Sequence, residues 1–122
     1  MTSPLKRPRF LIVEDEALIA ITIEDTLNDL GCEIVGSVGK LETAMKLARE
    51  EPIDAAILDV TIRGGQVFPV AEILLERGIP FALASGYGDW ALPARLRDQL
   101  RLTKPFTVME VEKVVRTLVG WT

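Results

Sequence analysis

Short apolar runs alternate with longer stretches of helical spacing along this chain. Phe10-Leu11-Ile12-Val13 is too short for a helix and reads as a buried strand. Glu16 to Leu30 reads as a helix: Ala20, Ile23, Leu27 and Leu30 recur at helical spacing, and Gly31 supplies a C-terminal stop. Glu33 to Val38 predicts a second strand. Leu41, Ala44, Met45 and Ala48 mark a second helix, which Pro52 closes. Ile53 to Val60 predicts a third strand around the buried run Ala55-Ala56-Ile57-Leu58. Val67, Val70, Ala71, Leu74 and Leu75 give a third helix that ends near Gly78. Ile79 to Ala84 predicts a fourth strand, with Pro80 at its start, where a missing N–H is tolerated. Leu100 to Thr103 is a weak fifth strand, and Val108, Val111, Val115 and Leu118 give the last helix. Between Trp90 and Gln99 the pattern is poor. Pro93 interrupts it, and Arg95 and Arg97 leave little apolar face, so a short or mobile helix is expected there.

Strands that alternate with helices predict an α/β fold with a five-stranded parallel sheet covered on both faces. Its connections should be right-handed crossovers. No linker, repeat or low-complexity segment stands out. The 122 residues are expected to form a single domain over 1–122, with 1–8 as a loose N-terminal arm.

Composition narrows the function. A chain that is 48% hydrophobic and 26% charged has the balance of a globule with one core. Its net charge of -4 argues against a nucleic-acid surface. Cys32 is the only cysteine, so no internal disulfide can form and nothing points to secretion. No apolar run approaches a membrane span, and no signal peptide is visible, so a cytoplasmic location without membrane contact is expected. The chain has no histidine. That excludes Ser-His and Cys-His nucleophile pairs, most zinc sites and any phosphohistidine of its own.

The remaining chemistry gathers at the carboxyl ends of the predicted strands. Glu14 and Asp15 follow the first, Asp59 lies near the end of the third, Ser85 follows the fourth and Lys104 the fifth. Open parallel sheets bind ligands outside these ends. Three carboxylates in one pocket repel each other, and a divalent cation relieves the repulsion. Hard oxygen ligands favour Mg2+ over zinc. One carboxylate could then attack a phosphoryl group, with Ser85 bonding a phosphoryl oxygen and Lys104 neutralising the arriving charge.

Glu14-Asp15, Asp59, Ser85 and Lys104-Pro105, each at its own strand end, resemble the signature of receiver domains of two-component response regulators. The resemblance covers roughly Arg9 to Gly120. It implies a doubly wound, flavodoxin-like sheet of order 2-1-3-4-5. It implies that Asp59 is the phosphoacceptor, charged by a histidine kinase. Glu14, Asp15, Asp59 and the carbonyl of Thr61 would hold Mg2+, and the Lys104–Pro105 bond would be cis. The stretch Pro80-Phe81-Ala82-Leu83-Ala84-Ser85-Gly86-Tyr87-Gly88 is similar to the motif of the "FAT GUY" receivers. Asp59-Val60-Thr61-Ile62 and Val67-Phe68-Pro69-Val70-Ala71 fit the same group. Members are often stand-alone receivers served by kinases of the HWE type, which implies an unidentified downstream protein or phosphotransfer partner and no output domain. Two departures stand out. Ser85 replaces the usual threonine and keeps the hydroxyl. Arg101 occupies the place of the usual aromatic switch, which leaves Tyr87 as the candidate switch residue.

Each residue also has an ordinary reading. Glu14-Asp15 would serve as helix-capping acids, Asp59 and Ser85 as turn residues, Lys104 as a solvated lysine, and Tyr87 as packing. Arg95, Arg97 and Arg101 would be a solvated surface or a patch for an acidic partner. Two other functions compete with a phosphoacceptor that is not a turnover enzyme. One is a Mg2+-dependent aspartyl-nucleophile phosphatase or phosphotransferase. Enzymes of the haloacid dehalogenase type usually have an acid two residues after the nucleophile, where this chain has Thr61. The other is a non-phosphorylated module that keeps only the fold, and intact Asp59 and Lys104 argue against it.

Overall fold

In the computed structural model, which describes residues 7–86 and 92–121, the elements in chain order are β1 (Arg9–Val13), α1 (Ala17–Asp29), β2 (Glu33–Val38), α2 (Leu41–Glu50), β3 (Ala55–Asp59), β4 (Thr61–Ile62), β5 (Gly65–Gln66), α3 (Phe68–Arg77), β6 (Phe81–Ser85), a 3-10 turn (Ala94–Leu96), β7 (Leu100–Thr103) and α4 (Val108–Val119). β1 pairs in parallel with β2 on one side and β3 on the other; β6 then pairs with β3, and β7 with β6. The order β2-β1-β3-β6-β7 is the predicted 2-1-3-4-5 once β4 and β5, a separate two-stranded ribbon, are set aside.

Side chains on a strand alternate between faces, and the core divides accordingly. Leu11, Val13, Ala56, Leu58, Phe81 and Leu83 pack with Ala44 and Ala48 of α2 and Val70, Ala71 and Leu74 of α3. Phe10, Ile12, Ala55, Ile57, Ala82, Ala84 and Leu102 pack with Ile23 and Leu27 of α1 and Val111 and Val115 of α4. Helices therefore cover both faces, and the central strands are buried on both sides, β3 and β6 along their whole length, whereas the edge strands β2 and β7 are largely half-buried or exposed. α3 stops at Gly78, whose φ of 71° puts it in the left-handed region. α4 starts on a capping box: the Thr107 hydroxyl accepts from Glu110 N–H, and the Glu110 carboxylate accepts from Thr107 N–H.

The structure departs from the sequence pattern in three places. The ribbon, with Thr61 paired to Gln66 and Ile62 to Gly65, was not foreseen, because two-residue strands carry no period. The expected helix between Trp90 and Gln99 is reduced, among the described residues, to the 3-10 turn. That segment is also better anchored than its arginines suggest, since Leu92 and Leu96 are buried beside α3. Arg95 pairs with Glu72 of α3 at 2.5 Å, and Arg97 Nε donates to the Leu92 carbonyl at 3.1 Å, so these two cations are engaged locally. The loose arm expected over 1–8 lies outside the described residues as far as residue 6. Its last two residues are tied to the sheet edge. Pro8 is buried and its carbonyl accepts from Glu33 N–H at 2.8 Å, and Arg7 donates to the carbonyls of Gly31 and Cys32.

Candidate functional site

The carboxyl ends of β1, β3, β6 and β7 meet along one edge of the sheet, and each delivers a polar residue there. Glu14 follows β1, and its N–H donates to the Val38 carbonyl at the end of β2. Asp59 is the last residue of β3 and pairs with Ala84, which sets buried Ser85 one step further along β6. Lys104 follows β7, and its N–H donates to the Ser85 carbonyl at 2.8 Å. The Lys104–Pro105 bond is cis, as the resemblance implied.

Lys104 is the hub of the cluster. Its Nζ donates to Asp59 Oδ2 at 2.9 Å and to Glu16 Oε1 at 3.2 Å. It lies 3.4 Å from Glu14 Oε1, a charge contact and not a hydrogen bond. Asp59 Oδ1 accepts from Thr61 N–H at 3.3 Å, and Glu14 Oε2 accepts from Glu16 N–H at 3.0 Å. Glu14 Oε1 is buried and accepts no hydrogen bond. Such an atom is costly unless something else satisfies it.

The titration behaviour follows from this crowding. Burial pushes the Glu14 carboxyl up, and the neighbouring Asp59 carboxylate pushes it further. The Glu16 N–H and Lys104 oppose the shift only in part, and Glu14 settles at about 7. Burial alone would pull the Lys104 ammonium down. Its bond to Asp59, with the charges of Asp59 and Glu14 and the bond to Glu16, overcomes that and holds it above its ordinary range.

Glu14, Asp15 and Asp59 each bring a carboxylate oxygen within 4.8 Å of the others. An all-oxygen, anionic donor set with one buried oxygen that accepts no hydrogen bond suits a small hard divalent cation, so the residues present fit Mg2+. The structure thus brings together Glu14, Asp15, Asp59, Ser85 and Lys104. Thr61 stands beside Asp59, held through its N–H, and Tyr87 lies outside the described residues.

Two contributors were missed in the sequence. Glu16 looked like the start of a helix, and its contact with Lys104 spans 88 positions. Gly39 follows β2, and a Cβ there would sit 3.0 Å from Asp15 Cα and 3.3 Å from the Glu14 carbonyl oxygen. A larger residue there would press the backbone of the acidic pair outward by a few tenths of an ångström. A glycine at the carboxyl end of a predicted strand was the available signal for it.

No protein-family profile matches the chain. The transcriptional regulatory protein PdtaR of Mycobacterium tuberculosis is 32% identical over 116 residues; these make up 92% of this chain and 57% of that protein, so the chain spans little more than half of this relative. The solution structure of SdrG from Sphingomonas melonis Fr1 is 43% identical, with a TM-score of 0.82, and covers 98% of this chain and 99% of SdrG. A response regulator receiver protein from Sinorhizobium medicae, 24% identical, shares the fold with a TM-score of 0.81 over 95% of this chain and 97% of its own.

Proposed function

The chain belongs to the receiver domains of two-component response regulators, and from that premise we propose that Asp59 accepts a phosphoryl group from a histidine kinase in a Mg2+-dependent step, and that the charged domain signals to a partner protein by changing shape. The observation that carries this reading is the 2.9 Å bond from Lys104 Nζ to Asp59 Oδ2, set beside two further carboxylates.

Glu14, Asp15 and Asp59, with the carbonyl of Thr61, would hold Mg2+, which when bound supplies positive charge against the carboxylates and the phosphoryl oxygens. A carboxylate oxygen of Asp59 forms a bond to phosphorus. The P–N bond of the donor phosphohistidine, whose other ring nitrogen carries a proton, breaks, and its electron pair stays on the released nitrogen, so that neutral imidazole leaves. The donor histidine lies outside these 122 residues, which contain none. Lys104 remains an ammonium through the physiological range and passes its hydrogen bond from Asp59 to a phosphoryl oxygen. The Ser85 hydroxyl donates to a second phosphoryl oxygen. No acid is needed two residues after Asp59, since imidazole leaves without one, and Thr61 at that place suits a phosphoacceptor better than a turnover phosphatase. The kinase is of the HWE type, the step takes place in the cytoplasm, and the downstream partner is a protein.

Tyr87 is the switch residue of this proposal. It lies two residues beyond Ser85, so a displacement of Ser85 towards the phosphoryl group passes directly to it. Arg101 is exposed on β7 and offers no buried aromatic ring for the purpose.

Mass spectrometry of the intact protein after treatment with a small phosphodonor and Mg2+ tests the assignment. One phosphate adduct is expected, and none on Asp59→Asn. An adduct that persists in that variant moves the acceptor elsewhere. Rapid multiple turnover makes the protein an enzyme, and no adduct on the wild type from either a small phosphodonor or a phosphorylated histidine kinase leaves an inert module.

A further inference from the structure

Glu16 stands outside the carboxylate trio and touches two members of the site. Its N–H donates to Glu14 Oε2, and its own carboxylate holds Lys104 Nζ at 3.2 Å. The Glu16 side chain is 63% exposed, whereas that of Lys104 is 17% exposed. Glu16 thus carries negative charge out to the solvent side of a cluster in which Glu14 and Asp59 are buried. Beside it opens a cavity of about 450 Å3, lined by Glu16, Leu18, Thr22, Lys104, Pro105 and Phe106. Lys104 is part of that wall and also reaches Asp59, so the cavity adjoins the carboxylates. A donor entering this way meets a fixed anion, and the lysine it needs is already bonded to that anion.

We propose that Glu16 is a positioning and specificity-determining residue: it ties Lys104 in the uncharged domain and disfavours free anionic phosphodonors relative to a phosphohistidine carried on a docked protein. This rests on the reading of Asp59 as phosphoacceptor. The repulsion acts on every donor, but a docked protein offsets it with contacts elsewhere on its surface, and a small anion has no such contacts. The selectivity is electrostatic, so it weakens as salt rises.

The test compares charging rates of wild type, Glu16→Gln and Glu16→Ala at saturating Mg2+, at low and high ionic strength. The donors are acetyl phosphate and the less negative phosphoramidate. Both variants keep the backbone N–H that holds Glu14. With acetyl phosphate at low salt, both should charge about fivefold faster than wild type. The gain should be smaller with phosphoramidate and shrink at high salt. Gln and Ala differ in shape and share the lost charge, so equal acceleration identifies charge as the cause. Unequal effects, a gain that ignores salt, or rates at or below wild type overturn the proposal while leaving Asp59 as acceptor. If wild type, Glu16→Gln and Glu16→Ala all take no phosphate from either donor, the acceptor reading fails and this proposal with it.

Discussion

Lys104 Nζ lies 2.9 Å from Asp59 Oδ2 although the two residues are 45 positions apart. The contact spans β6, the strand between those that carry them. Lys104 is tied to the Ser85 carbonyl at the end of β6, and Asp59 pairs with Ala84 on that same strand. One strand therefore sets the placement of both partners, and the acid and the cation meet at its carboxyl end.

Mg2+ should stabilise the fold. Glu14, Asp15 and Asp59 repel each other, and one buried Glu14 oxygen has no hydrogen-bond partner. A cation bound by the folded chain alone raises stability by about 2.7 kcal/mol at a hundredfold excess over its Kd. Thermal melts in EDTA and in increasing Mg2+ read this directly. An unchanged midpoint at saturating metal would remove the case for a shared site.

Gly39→Ala should weaken Mg2+ binding at least tenfold. The added methyl meets the backbone of Glu14 and Asp15, which cannot give way as a flexible side chain would. Isothermal titration of both proteins checks the loss, and affinity equal to wild type would show that the acidic pair tolerates the shift.

Asp59→Asn should fold, accept no phosphate and be at least as stable as wild type without metal. An amide is a poor nucleophile, and the exchange removes one charge from a repulsive cluster. Lys104 keeps its contacts with Glu14 and Glu16. Because Asp59 helps to raise Glu14, the Glu14 titration should fall from about 7. Carbon-detected NMR titration of the carboxyl groups follows it; an unmoved midpoint would leave burial as the sole cause.

Stability in EDTA should fall between pH 5 and pH 8 through Glu14. The folded chain raises this carboxyl from 4.5 to about 7, so the folded state holds the proton across a window in which the unfolded state has released it. Raising the pH through that window costs stability, on the order of 2–3 kcal/mol for a shift of this size. Urea unfolding of wild type against Glu14→Gln isolates the contribution, and Mg2+ should flatten the slope. Equal pH dependence in the two proteins would contradict it.

Leu96→Ala should destabilise the protein by about 2–4 kcal/mol, because Leu96 is fully buried in the core on the α3 side. Thermal or urea denaturation measures the loss. A change below 0.5 kcal/mol would mean that the 3-10 turn is held by Arg95–Glu72 and its neighbours instead.

The architecture was legible because burial has a local period. Glu33–Val38 and Leu100–Thr103 are strands to the residue, and Phe10-Leu11-Ile12-Val13 needed only Arg9 added at its start. Strands alternating with helices pointed to a parallel sheet whose carboxyl ends gather Glu14, Asp15, Asp59, Ser85 and Lys104 at one edge, while the order 2-1-3-4-5 came from the resemblance to receiver domains. Contacts made across strands left no trace in any local pattern. The ribbon at Thr61 to Gln66 is too short to have a period. Leu92 and Leu96 looked isolated among arginines and a proline until α3 was seen beside them. The close approach at Gly39, the buried Glu14 oxygen that accepts no hydrogen bond and the grip of Glu16 on Lys104 each depend on how far neighbouring backbones stand from one another. Spacing along the chain determined which groups the domain brings to its edge, whereas the register of β1, β3, β6 and β7 decided which of them touch, because a contact of a few ångströms is set by the packed sheet and not by distance in sequence.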